Sequence, residues 1–332
     1  YPMKRDPKYR GQHDKWERIT WDEAFAIVKE KRDYFRDTYG PECMAVFSGT
    51  GRSGGILVSD MAQAVLGTPN ACYTQSGYAC YQPRSMSCSH VLGAYYPEMD
   101  YAGGLEGTYD NPAYQVPGVM VMWGKMPLAS NGDGLWGHAV IDLMKRGAKL
   151  ISVDPRVNWL STRAEIHLRV RVGTDAAMAM AWLWVIINED LYDHEFVEKW
   201  CYGFDEFKER VMEYTVDWAA EVTEVPAETI RAVARCLAEK PWGLNMGLAN
   251  DQNPNGVQSV HCLYALVAIT GNLDVPGGDG MPGPALNYLT DEEMEANECL
   301  PEEQKAKQIG SDKFKLTSWP GYQLISDNAR RT

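Results

Sequence analysis

Four short tracts in this chain are polar or glycine-rich: GTGRSGG at 49–55, WGKMP at 123–127, VDPR at 153–156 and VGTD at 172–175. Glycine lets backbone N–H groups approach a ligand closely, and such groups at a helix start favour an anion. One tract of this kind means little. Four in order point to a long ligand lying over several strand ends. The thiols carry a different message. Eight cysteines, at 43, 72, 80, 88, 201, 236, 262 and 299, are scattered and none forms a C-x2-C pair. No zinc ribbon or iron–sulfur site is legible in them, and reduced thiols are the expectation.

The elements that must position these tracts follow from periodicity and punctuation. Thr20 and Glu23 have the spacing of a helix-start capping box, and Gly40-Pro41 ends the helix through Phe25, Val28 and Phe35. Met44 to Phe47 reads as a buried strand, 49–55 as a turn, and Ile56 to Leu66 as a helix. Val119 to Trp123, Leu150 to Val153, Ile166 to Val170 and Gly243 to Met246 read as further strands. Helices are predicted over Leu135 to Lys145, after Asp175, across most of 195–239 with Pro226 near one start, and after Asn255-Gly256. The tail beyond Gly277 reads as loop. Strands alternating with helices predict an α/β fold, and each of the four tracts then falls at a strand's carboxyl end, where such sheets bind ligands.

At 332 residues and 45% hydrophobic, the chain can bury large cores and is long enough for two packed units. A formal net charge of -13 argues against nucleic acid as a partner. The longest apolar run, Ala176–Ile187, is shorter than the roughly 20 residues that cross a bilayer, so it reads as a buried helix and no membrane span is expected. The chain starts at Tyr1 without an initiator methionine, which reads as sequence missing upstream. Its compartment, cytoplasmic or exported to a prokaryotic cell envelope, is not legible.

Taken in order, the motifs resemble the molybdopterin oxidoreductases of the DMSO reductase family. The resemblance rests on YPMKR at 1–5, KWERITWDEA at 15–24, GPE at 40–42, GTG at 49–51 and LGTPN at 66–70. It continues through WG-x-x-P at 123–127, VDPR at 153–156, GTDAA at 173–177, QNPNG at 252–256 and TGNLDVPGG at 270–278. The implied fold is two doubly wound, Rossmann-like αβα units. The first is discontinuous and partial, over 1–75 plus 241–332, and the second is a dinucleotide-binding domain over 76–240. The implied cofactor is bis-molybdopterin guanine dinucleotide carrying molybdenum or tungsten.

In that family a metal-coordinating residue follows the LGTPN-like element, with proline three and glycine thirteen positions later. Cys80, Pro83 and Gly93 keep this spacing, which implies Cys80 as metal ligand; a thiolate is a soft ligand suited to a sulfur-rich site. Its structural alternative is a small buried residue, the reading given to Cys72 and Cys88. Tyr81 and His90 are implied as proton donors or substrate-orienting groups, with a structural histidine as the alternative for His90; Glu98 and Asp100 are further possible acids. Gly51 and Ser76 would contact the cofactor, as would Trp123, Gly124, Lys125 and Pro127. Asp154, Pro155 and Arg156 form a third group and Gly173, Thr174 and Asp175 a fourth. Asp175, then Asp154, would accept N–H donors from a guanine edge; a helix N-cap and a turn residue are their respective alternatives. Met246, Gly247, Gln252, Asn255 and Gly256 complete the set, with Gln252 and Asn255 on the pterin side unless they are loop-capping amides.

The sequence departs from the family at Met126, where an amide is usual, and in the longer spacing of Met246–Gln252. The second departure resembles the branch that contains acetylene hydratase, transhydroxylase and the catechol dehydroxylases. The resemblance also implies an internal fragment of a prokaryotic enzyme of anaerobic respiration, inactive alone. The full-length protein would carry a 4Fe-4S cluster, act on a small-molecule substrate and pass electrons to an iron–sulfur subunit. Two alternatives stay open: a cofactor-free structural paralogue, and an NAD-type dehydrogenase. The second would want an acid about 20 residues after G-x-G-x-x-G, where Asn70 and Thr74 stand.

Overall fold

A computed structural model describes residues 1–48, 56–73, 82–93, 96–101, 115–130, 135–239, 241–281 and 296–315, and these form two compact units. The first unit holds the described residues up to 73 together with 296–315; the second holds those from 82 to 281.

In the first unit, α1 (Trp21–Tyr39) starts where the capping residues place it: the Thr20 hydroxyl accepts from the Glu23 N–H at 3.1 Å. That satisfies one of the donors a helix start leaves unpaired. The Glu23 carboxylate does not close the box; it meets Lys4 Nζ at 2.5 Å. β1 (Val46–Ser48), α2 (Ile56–Asp60) and β2 (Ala71–Tyr73) form a βα unit whose strands pair in parallel. The LGTPN tract does structural work here. Buried Thr68 donates to Met44 O at 2.7 Å, and buried Asn70 donates from Nδ2 to Glu42 O at 2.8 Å and accepts from Ile309 N at 2.9 Å. The tail is not all loop: Glu302–Lys305 is a short helix, and beyond it Lys307 lies 3.0 Å from Glu42.

The second unit comprises α3 (Gln82–Val91), β3 (Glu98–Met99), β4 (Val119–Trp123), α4 (Leu135–Lys145), β5 (Lys149–Val153) and β6 (Ile166–Leu168). It continues with α5 (Asp175–Asn188), three short helices, α6 (Ala227–Glu239), β7 (Trp242–Met246), α7 (Gly256–Ile269) and β8 (Asp279–Gly280). Its centre is a four-stranded parallel sheet in the order β6-β5-β4-β7. Successive side chains of a strand point to opposite faces. Val119, Val121 and Trp123 accordingly join one core with Trp182 of α5, Val233 of α6 and Leu263 of α7, while Met120 and Met122 join another with Val140 and Leu143 of α4. Burial on both faces is why these strands read as unbroken apolar runs. The run Ala176–Ile187 is a buried helix as expected, and no helix of the described residues is long and apolar enough to cross a membrane.

One boundary differs from the sequence expectation. Residues 241–281 belong with the second unit, because Trp242–Met246 pairs in register with Val119–Trp123. A sequence shows that a strand exists; only pairing shows which sheet takes it.

β7 is an edge strand, and side chains satisfy its outward N–H groups: Asn272 Oδ1 accepts from Trp242 N at 2.9 Å and Asp279 Oδ1 from Leu244 N at 2.7 Å. Asp279 is 0% exposed, and its second oxygen has no partner among the described residues. Burial pushes its pKa well above the usual carboxylate value; the Leu244 N–H works against that rise, and the nearby Glu98 charge adds to it. The folded chain therefore holds a proton that the unfolded chain releases near pH 3.9. This contribution to stability is complete below about pH 3.9 and is lost as pH rises toward the folded value, at about 1.4 kcal/mol per pH unit. Asp279→Asn is expected to remove that slope. Urea midpoints measured from pH 4 to 7 would show it, and parallel slopes for variant and parent would contradict it.

Candidate active site at the carboxyl edge of the sheet

The register sets Trp123 level with Val153 and Met246, and Val153 level with Leu168. The four parallel strands thus end together. Gly124, Asp154, the segment leading to Asp175, and Gly247 all leave the same edge. The chain runs β4, β5, β6 to one side of β4 and returns to place β7 on the other. Neighbouring strands whose connections diverge leave a crevice at their carboxyl ends, the usual ligand position in such sheets.

Two glycines meet at that crevice. Gly247 N donates to Trp123 O at 2.8 Å, and a Cβ on Gly247 would overlap the Gly124 carbonyl. Gly124 itself has φ +58°, a conformation that glycine adopts without strain, and its N–H donates to Val153 O at 2.8 Å. The close approach keeps the two strand ends together and their backbones bare of side chains.

Asp175 is the first residue of α5, half-buried, and one carboxylate oxygen accepts the Trp123 indole N–H at 2.7 Å. Thr174 occupies the N-cap without a side-chain capping bond; its hydroxyl donates to Arg171 O at 2.6 Å. Burial raises the Asp175 pKa and the indole bond partly opposes that rise. Trp123, expected at the ligand, is 1% exposed and packed edge-on to Trp182. It reaches the rim only through its N–H. Met246 is likewise a core residue, at 3% exposure, and Pro127 is buried at the start of a short helix.

Asp154 takes its turn-residue alternative. Its oxygens accept Arg156 N at 2.8 Å and Asn158 Nδ2 at 3.1 Å, and its backbone carbonyl meets His167 Nε2 at 2.8 Å. A carboxylate so engaged shapes the turn and leaves Pro155 and Arg156 exposed at the edge. Lys125 lies with its Nζ 4.7 Å from the Trp136 ring centroid. Burial raises the pKa of Glu98, and the Lys125 charge opposes that rise.

An open cleft of about 490 Å³ lies between the start of α3 and the loop that follows β7, lined by Pro83, Asp251, Gln252, Asn253, Pro254 and Gly256 among others. Gln252 and Asn255 are exposed, and Asn255 makes no side-chain cap to α7. The loop-closing amide is instead Asn253, which donates to Ala249 O at 3.2 Å and Asn250 O at 3.0 Å and accepts from Asn255 N at 3.0 Å. Gly256 is packed against the Asp251 carbonyl and faces inward.

Three residues that the sequence reading did not single out hold this corner. Arg84 of α3 and Asp251 form a buried two-pronged pair, with Arg84 N to Asp251 Oδ1 and Arg84 Nε to Asp251 Oδ2 both 2.9 Å, and Arg84 Nη1 donates to Met246 O at 3.2 Å. Burial works against the Arg84 charge, but the bonds to Asp251 more than offset it and raise its pKa. Asn250, fully buried, donates to Trp123 O at 3.4 Å and leaves its Oδ1 without a partner among the described residues. A buried charge such as that of Arg84 needs an acid elsewhere in the chain. Nothing in sequence says which.

Other expected residues fall away from the edge or outside the described residues. His90 is exposed in the last turn of α3, roughly 12 Å along the axis from Gln82, with its ring 6.4 Å from that of His261. Cys88 is 0% exposed in the core, and burial pushes its thiol pKa up, which matches its structural reading. Gly51, Ser76, Cys80 and Tyr81 lie outside the described residues.

The edge fits a large nucleotide-like group. Gly173 is exposed with no other atom near its Cβ direction, and Asp175 has a second carboxylate oxygen beside the indole-bonded one. Among the described residues no cluster of three or more His, Cys, Asp or Glu could hold a metal ion.

The relatives of this chain are found by sequence and by shape. The family model described as Molybdopterin oxidoreductase matches residues 1–312. Acetylene hydratase of Syntrophotalea acetylenica is 32% identical over 338 residues, covering 100% of this chain and 43% of that protein. Formate dehydrogenase H of Escherichia coli is 28% identical over 99% of this chain and 42% of its own length. The solved structure of acetylene hydratase from Pelobacter acetylenicus superposes with a TM-score of 0.77 at 31% identity, over 95% of this chain and 41% of that one. The chain thus spans less than half the length of these relatives.

Proposed function

The chain belongs to the molybdopterin oxidoreductase family, and from that premise we propose that it is the cofactor-cradling part of the catalytic subunit of a molybdenum or tungsten enzyme. The cofactor in this reading is bis-molybdopterin guanine dinucleotide, and Cys80 is the polypeptide's ligand to the metal. When bound, the group supplies a redox-active metal that exchanges oxygen, hydroxyl or hydride with a small substrate. The relatives named for acetylene and formate both point to small molecules. A 4Fe-4S cluster and an electron-accepting iron–sulfur subunit belong to the full-length enzyme.

The chain's own residues bind and orient. Asp175 accepts guanine N–H donors with the carboxylate that the Trp123 indole holds in place. Gly124, Gly173 and Gly247 leave backbone open to the dinucleotide, with Arg156 exposed near its phosphates. Gln252 and Asn255 present amides to the pterin side of the cleft. Tyr81, next to Cys80 in sequence, orients the substrate or moves a proton. The observation that carries this reading is the arrival of four strand ends at one edge with a glycine pair at the reversal of strand order. It is favoured over the NAD-dehydrogenase alternative by the family match across 1–312.

The test is chemical analysis of the full-length protein. Molybdenum or tungsten together with releasable guanine nucleotide is the expected result; neither would leave a cofactor-free paralogue. A charge-assisted hydrogen bond contributes about 1.5–3 kcal/mol, so Asp175→Ala is expected to weaken nucleotide retention roughly 10- to 100-fold. Trp123→Phe should weaken it less, because only the orienting bond is lost. Unchanged nucleotide content in Asp175→Ala would remove that residue's assigned contact.

A further inference from the structure

The Arg84–Asp251 pair is costly where it stands: the side chains are 6% and 0% exposed. Buried ion pairs often contribute less to stability than well-packed apolar residues would, and they are best explained where they fix one arrangement out of several. Here the arrangement is specific. α3 begins at Gln82, so the Arg84 N–H is one of the donors its first turn leaves unpaired. Asp251, which lies 167 residues away in the chain, accepts that N–H at 2.9 Å and grips the guanidinium of the same residue. The guanidinium also reaches Met246 O at 3.2 Å, the last residue of β7, and stacks 5.3 Å from the Tyr96 ring centroid. One carboxylate thus caps the start of α3 and holds the guanidinium that reaches the carboxyl end of β7, the edge strand of the sheet.

The two segments so joined are the two that line the cleft, Pro83 on one side and Gln252 to Gly256 on the other. Cys80 precedes Pro83 by three residues. Whatever the chain does between them, its Cα stays within about 11 Å of that of Pro83, since a residue spans at most about 3.6 Å. Where α3 starts therefore limits where the thiol can be.

We propose that Asp251 is a positioning residue: by clamping Arg84 it fixes the start of α3, the helix that follows Cys80 in the chain, against the strand end that leads on to Gln252 and Asn255. This rests on the reading of Cys80 as metal ligand. The pair touches neither substrate nor metal. It sets the thiolate's approach from the polypeptide side, as outer partners do at other metal sites.

The test uses the full-length holoenzyme in four forms: parent, Asp251→Asn, the double apolar replacement Arg84→Met with Asp251→Leu, and Cys80→Ser. Asp251→Asn keeps the size and one capping oxygen but removes the charge. It is expected to retain metal and nucleotide within about twofold and to alter the electron paramagnetic resonance signal of the partly reduced metal, with kcat lowered roughly 10- to 100-fold at nearly constant KM. If Asp251→Asn does not fold, the double replacement carries the test, because matched apolar residues can restore stability without restoring the clamp. An altered spectrum in a variant that melts like the parent supports the proposal. A parental spectrum and kcat in either variant overturns it and leaves the pair a packing device. Cys80→Ser separates the two readings. If its spectrum is parental, the ligand assignment itself fails; if its spectrum changes while the Asp251 variants stay parental, only the clamp fails.

Discussion

Cys80→Ala in the full-length enzyme is expected to lose turnover by more than the roughly 10- to 100-fold that outer-shell substitutions cost a metal site, while melting within about 2 °C of the parent. The expected loss is electronic and steric together. A thiolate ligand sets the metal's charge and geometry, and alanine supplies no donor. A side chain that faces a cofactor, and not packed hydrocarbon, leaves little cavity when truncated. Cys88 offers the internal control, since it is 0% exposed in the apolar core. Cys88→Ala should do the opposite, lowering stability by about 1–2 kcal/mol and leaving turnover near the parental value. Steady-state kinetics and thermal melts on both variants decide the matter. Should the two behave alike, with turnover kept and stability lost, Cys80 is a structural thiol and the ligand assignment is wrong.

Gly247→Ala is expected to have the largest effect on the fold of any single methyl addition at the candidate site. A Cβ at 247 would overlap the carbonyl of Gly124, which belongs to backbone and cannot rotate away as a side chain does. The ends of β4 and β7 must part, and the bond from Gly247 N to Trp123 O at 2.8 Å is lost with them. Overpacking of this kind costs about 3 kcal/mol, which for a unit of this size moves Tm by roughly 6–12 °C. Gly147→Ala separates crowding from backbone preference. Gly147 has φ +101° but no atom near its Cβ direction, so it should cost only about 1 kcal/mol of strain. Equal shifts for the two variants would refute the close contact as the cause. Cofactor content should fall in Gly247→Ala alone, because only that substitution opens the crevice.

Much of the frame was legible before any coordinates. The parallel strands from 119 to 246 announce themselves as apolar runs because both of their faces are buried. Thr20 marks the start of α1 because a local side chain satisfies a local N–H, and such bonds depend only on near neighbours. Gly124, Gly173 and Asp175 stand out at strand ends for the same reason: their position follows from the strand that precedes them. The ordered motifs also carried the family.

What sequence could not supply was anything set by pairs distant along the chain. That 241–281 joins the second unit depends on Met246 lying opposite Trp123. That Asp154 shapes a turn while Asp175 offers an oxygen depends on which donors reach each carboxylate, Asn158 in one case and the Trp123 indole in the other. Arg84 and Asp251 were invisible as partners, because charge in a sequence has no address until folding buries it. Local bonds and periodic burial are written in short stretches of residues. Long-range pairing is decided by the packed chain as a whole.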